Sequence, residues 1–187
     1  MKYVIAPAFL VLAVAAQAMP AIYDLDPDHS FVHFEVLHFG TATLRGRFGP
    51  VHGTVTLDRE ARSGEIGLRI ATAGVDTGVS VLDARLRQPE LLDSTGWPEA
   101  FFVARNFRFE GAQLAEVRGE FTLRGHGEAL SLHAQNFGCR VDAQRMREVC
   151  GGDFVASFRR SVFGIDFGLP FVADEVRLVI QVEGTRR

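Results

Sequence analysis

Hydrophobic and polar residues alternate with a period of two along most of this chain, as in strands with one face buried and one in water. The clearest run is Ser30-Phe31-Val32-His33-Phe34-Glu35-Val36-Leu37-His38. Val32, Phe34, Val36 and His38 fall on one face, and Phe31, His33, Glu35 and Leu37 on the other. Residues 44–58 keep the period, but Gly46, Gly49 and Gly53 interrupt it and predict bends or bulges, as a curling sheet needs. Further strands are predicted over 65–72, 100–109, 114–124, 128–137, 153–160 and 175–183. One segment breaks the pattern. Val79, Leu82, Leu86, Leu91 and Leu92, interleaved with Asp83, Arg85 and Arg87, predict a short amphipathic helix over 79–92, ended or bent by Pro89. Trp97-Pro98 then leads back into the sheet.

The expected architecture is all-β: about eight antiparallel strands in one domain, with one helical excursion. An open sheet of this size leaves two edges and an apolar face exposed, and closure into a barrel removes both problems. A two-sheet sandwich with a filled core fits the same strand count.

Composition sharpens this picture at three points. Phenylalanine occurs 16 times against two tyrosines and one tryptophan. Rings without a hydroxyl or N–H suit an oily cavity, and equally an ordinary dense core. Lysine occurs once, at Lys2, and the net charge is -3, which argues against nucleic acid as a partner. Lys2, the uncharged run 4–16 and Ala16-Gln17-Ala18 have the form of a secretory signal peptide cleaved after Ala18. Residues 1–18 are therefore expected to be a leader and 19–187 the exported domain. That run is short for a membrane span.

Cys139 and Cys150 are the two cysteines, with ten residues between them. In an exported chain, a pair without CxxC spacing is expected to be a structural disulfide closing a polar loop, worth roughly 3 kcal/mol in the chain-entropy model.

Seven pieces, in order, carry a family resemblance. They are Tyr23-Asp24-Leu25-Asp26-Pro27-Asp28-His29-Ser30; Val32-x-Phe34-x-Val36-x-His38-x-Gly40; Gly46-x-Phe48 with Gly53-x-Val55 and Asp58; Val75-Asp76-Thr77-Gly78; Asp83-x-x-Leu86-Arg87; Trp97-Pro98; and Arg160-Ser161-x-Phe163-Gly164-Ile165. Together, from about Tyr23 to Glu183, they resemble the YceI-like periplasmic proteins, which bind polyisoprenoid lipids. The chain departs from that family's pattern at Leu82, Arg85 and Val162, where the family usually has Arg, His and Asp. The resemblance implies an extended, lipocalin-like, eight-stranded antiparallel β-barrel with the helix packed over it. It also implies a periplasmic location, a long apolar ligand in the lumen, and often a homodimer.

Strand parity then gives candidate ligand-binding positions: Val32, Phe34, Val36 and His38 on one stave, Phe48, Phe102, Phe121 and Phe158 on others, and Leu86, Leu91 and Trp97 closing one end. The expected function is to hold an isoprenoid-type lipid, polyprenyl or quinone-like, for carriage, storage or sequestration. Membrane contact would be at most transient, and the helix, lacking a strand ladder, would serve as the lid. No cofactor, metal or catalysis is expected. His29 and His33 share a face but lie about 13 Å apart along a strand, too far for one ion. Asp28-His29-Ser30 point to alternate faces, and neither GxSxG nor HExxH occurs. Arg159-Arg160 read as a solvated charge pair. The other class of function compatible with the sequence is an envelope stress or interaction protein with a solid core.

Overall fold

The computed structural model describes residues 19–187 apart from 145; the leader expected over 1–18 lies outside them. Among the described residues ten strands form one antiparallel sheet: β1 (Ala21–Leu25), β2 (Phe31–His38), β3 (Ala42–Phe48), β4 (Val51–Asp58), β5 (Ser63–Ala71), β6 (Glu99–Glu110), β7 (Gln113–Leu123), β8 (His126–Asp142), β9 (Arg147–Arg159) and β10 (Val172–Arg186). The hydrogen-bonded order runs β1-β4-β5-β6-β7-β8-β9-β10, and β10 pairs back onto β1 through Leu25↔Gly184 and Tyr23↔Arg186. This ring is a closed eight-stranded barrel, so the sheet buries its apolar face within itself.

The remaining two strands lengthen the barrel at one end. β2 pairs with the N-terminal part of β10, from Val172↔His38 to Gln181↔Phe31, and β3 pairs with β2. β1 and β2 therefore follow one another along the same neighbour, as do β3 and β4 on the next stave. Eight staves are built from ten strands because two of them are broken. The expected single strand over 44–58 is one of these. It parts at Gly49-Pro50, where proline has no N–H for a ladder. Gly46 lies under the Phe34 ring, in the space a Cβ would need, and Gly53 (φ 145°) brings its backbone against Gly67 O. A side chain at either position would push the staves apart.

The helix is shorter than the periodicity predicts. α1 (Ser80–Leu86) starts where the Asp83 carboxylate accepts the Thr77 N–H and hydroxyl, at 2.8 and 2.6 Å. It ends at Arg87, because Gln88 precedes a proline and is biased away from helical geometry. Turns then carry Leu91 and Leu92 inward. α1 joins no strand ladder. Arg87 anchors it by donating to Ala73 O (2.9 Å) and Val75 O (3.0 Å).

The cysteines do form a disulfide, but not across a loop. β8 and β9 run five and six residues beyond the strands predicted, so Cys139 and Cys150 face each other within the ladder, Cα to Cα 4.1 Å apart.

Candidate functional site: an oily lumen open at one end

Alternate residues of every stave point into the barrel, and their sizes divide its interior along the axis. In the half away from α1 the bore is filled. Ala104, Leu114, Val117 and Phe154 pack there with Phe107, Phe109 and Phe137, and Tyr23, Leu57 and Cys150 form a second cluster beside them. In the half under α1 the side chains leave a cavity of about 320 Å³. That volume is at the lower end of the range for ligand pockets. The core is thus neither hollow throughout nor solid throughout.

The cavity wall is hydrocarbon nearly everywhere. Val32, Phe34 and Val36 from β2, Phe48 from β3, Phe102 from β6, Phe121 from β7 and Phe158 from β9 all line it, with Leu86 and Leu91 from the helical excursion. Phe34 and Phe48 are tilted together at 5.4 Å between centroids. Phe121, Phe158 and Phe163 form a triangle at 5.2–5.5 Å. Offset and edge-on packing of this kind fixes the rings as a rigid wall. His38, exposed at the end of β2, lines the cavity where it opens.

Trp97 differs from the sequence expectation. It is 44% exposed, its indole lies against Gly125, and it is not part of the cavity wall. Its backbone carries the structural contact instead. Trp97 O accepts the Thr72 hydroxyl at 2.8 Å, tying β5's end to the return into β6. Among positions outside the predicted set, Leu68, Ile70, Leu178 and Ile180 also line the lumen. Their alternation placed them on one face of their strands, but nothing in a single strand says how far along the bore each residue sits.

Among the described residues four polar side chains reach the wall: His38, Thr72, Arg85 and Arg160. Arg160 corrects the reading of Arg159-Arg160 as a solvated pair, since it is only 5% exposed. Its guanidinium donates to Ala173 O (2.8 Å), Ile165 O (3.0 Å), Phe167 O (2.9 Å) and Val172 O (2.8 Å). Burial pushes its pKa down, opposed by Asp174 and Asp166, and an arginine stays charged throughout. The cation thus ties the loop before β10, through Ile165 and Phe167, to the first residues of that strand, Val172 and Ala173, at the mouth. Asp174 completes the support. Burial raises its pKa, but hydrogen bonds from the Ser161 N–H (2.9 Å) and hydroxyl (2.8 Å), with Arg160 and Arg159 nearby, outweigh this and hold it below the usual carboxylate range.

The mouth itself is apolar at its surface. Phe39 and Phe171 stack at 5.6 Å while 59% and 62% exposed, and Phe167, also exposed, lines the opening. Among the described residues no group of three or more His, Cys, Asp or Glu side chains is arranged to hold a metal ion. His29 is paired with Asp26 at 3.1 Å.

Comparison with known proteins places this geometry. The family model of the YceI-like domain matches residues 23–184. Protein YceI of Shigella flexneri is 30% identical over 176 residues, covering 92% of this chain and 91% of that protein. Protein YceI of Salmonella arizonae is 30% identical over 180 residues, covering 95% and 93%. Among solved structures, Burkholderia cenocepacia BcnA superposes with a TM-score of 0.73 at 22% identity, covering 86% of this chain and 99% of that one. A polyisoprenoid binding domain from Saccharophagus degradans, implicated in plant cell wall breakdown, gives 0.63 at 16% identity, covering 88% and 98%.

Proposed function

The chain belongs to the YceI-like family, and from that premise we propose that it is a non-enzymatic carrier or store that holds a long isoprenoid-type lipid in its lumen. The observation that carries this reading is the cavity under α1, walled by phenylalanine and aliphatic side chains and open at one end. A prenyl tail is hydrocarbon with periodic methyl branches. Each CH₂ it buries is worth roughly 0.8 kcal/mol, without any need for polar matching. The named ligand of the Saccharophagus degradans domain supports the same class of guest.

Export to the periplasm, with residues 1–18 removed, belongs to this proposal. So does a transient membrane contact for loading and release, in which the exposed Phe39, Phe167 and Phe171 would meet the bilayer while α1 yields. A homodimer, as the family often forms, is compatible with it.

Organic extraction of the purified protein followed by mass spectrometry tests the proposal. A co-purifying prenyl lipid is expected, together with uptake of added prenyl lipid. Phe34→Asp, which puts a charge at 6% exposure on the wall, should abolish retention beyond what lost stability explains. A clean extract with no uptake would favour the stress or interaction protein instead.

A further inference from the structure

A lipid tail in this lumen brings a head group, and the wall offers it few places. Thr72 is buried and its hydroxyl is committed to Trp97 O. Arg160 donates to four carbonyls. A polar head deep in the bore would therefore lie unsatisfied, at a cost of a few kcal/mol. Free hydrogen-bonding capacity belongs to the two remaining polar side chains, His38 and Arg85, and both lie toward the open end.

Arg85 is the stronger of the two. It projects from α1, and the centre of its guanidinium lies 4.5 Å from the Phe167 ring centroid, so the ring orients it at the opening. Its acidic contact is long, Nη1 to Glu90 Oε1 at 3.4 Å, between side chains 40% and 51% exposed. Such a pair contributes little and exchanges readily. The Nε and Nη2 donors of Arg85 have no partner among the described residues. A fixed cation with an open donor fork, beside an apolar wall, matches the two oxygens of a phosphate or carboxylate better than a single hydroxyl.

We infer that Arg85 is the head-group contact, and that the ligand carries an anionic head, phosphate or carboxylate, on its hydrocarbon tail. The inference rests on the lipid-binding reading and adds the chemistry of the head. The tail lies along Phe34, Phe102 and Phe121, and the head stays at the mouth, on the Nε and Nη2 donors of Arg85.

Three ligands with the same twenty-carbon prenyl tail separate the possibilities: the monophosphate, the carboxylate and the neutral alcohol. Their affinities for the delipidated protein are read by displacement of a fluorescent apolar probe. The anions are expected to bind about tenfold or more tighter than the alcohol. In Arg85→Gln that advantage should shrink to about one, and Arg85→Lys should restore part of it. An advantage confined to one anion supports the inference and names the source. Equal binding of anion and alcohol by the unmodified protein, or an anion preference that survives Arg85→Gln, overturns it and leaves the lipid reading standing. Failure of all three to displace the probe overturns the lipid reading itself.

Discussion

Tyr23 closes the end of the barrel opposite the mouth. It is 3% exposed, and its hydroxyl donates to Glu148 Oε1, which Arg59 also binds at 2.8 Å through the second oxygen. Burial, and then that hydrogen bond, raise the phenol from 10.0 to about 12. The unfolded chain loses this proton first, so the neutral phenol stabilises the native state below pH 10, and the contribution fades as pH rises through about 12. A shift of that size corresponds to roughly 2–3 kcal/mol. Urea unfolding between pH 9 and 12 should show a decline that Tyr23→Phe lacks; identical declines in both proteins would assign it to other groups. Side chains like Phe34 and Phe102 were legible in the sequence because an apolar residue on an alternating strand has one sensible place to go. Arg160 and Arg85 were not. An arginine reads as solvated until its partners are known, and the carbonyls that solvate the Arg160 charge come from a loop and the strand start beyond it, whose path the alternation does not encode.

At the level of elements, alternation located most strands to within a few residues and missed β1, whose five residues are too few to show a period. Of the three glycines expected to mark bends or bulges, Gly49 alone stands at a break, since the β2–β3 and β4–β5 ladders run through Gly46 and Gly53 without a register shift. That break at Gly49-Pro50 is a matter of which neighbour each half meets: β3 pairs with β2, and β4 with β1 and β5. The β8–β9 hairpin carries its disulfide toward the filled end, where Cys139 and Cys150 pack near Tyr23 and Leu57. The bond should therefore act on stability and not on the lumen. Replacing both cysteines by alanine should lower unfolding free energy by about 3 kcal/mol. Prenyl-lipid uptake by the folded variant should be unaffected, as a titration alongside thermal unfolding would show. Lost uptake with unchanged stability would mean that this hairpin shapes the cavity.

The whole molecule joins a filled half of the barrel to an open one. Eight staves close the sheet, Tyr23, Leu57, Val117, Phe154 and their neighbours fill one half, and two extra strands with α1 and the loop before β10 raise the walls of the other. The fold was readable from parity and motif, and so were ten wall residues, a minority of those that line the cavity. The division of the bore was not, because it depends on how side chains from different staves meet across the axis. The proposed lipid binding depends on that division, since the cavity formed by the described residues lies in the open half. Diffraction from crystals grown with a bromine-tagged prenyl lipid tests it most directly. Bromine anomalous density is expected inside the barrel, among Phe34, Phe102, Phe121 and Leu178. Density found only on the outer surface, with those side chains closed against one another, would contradict it.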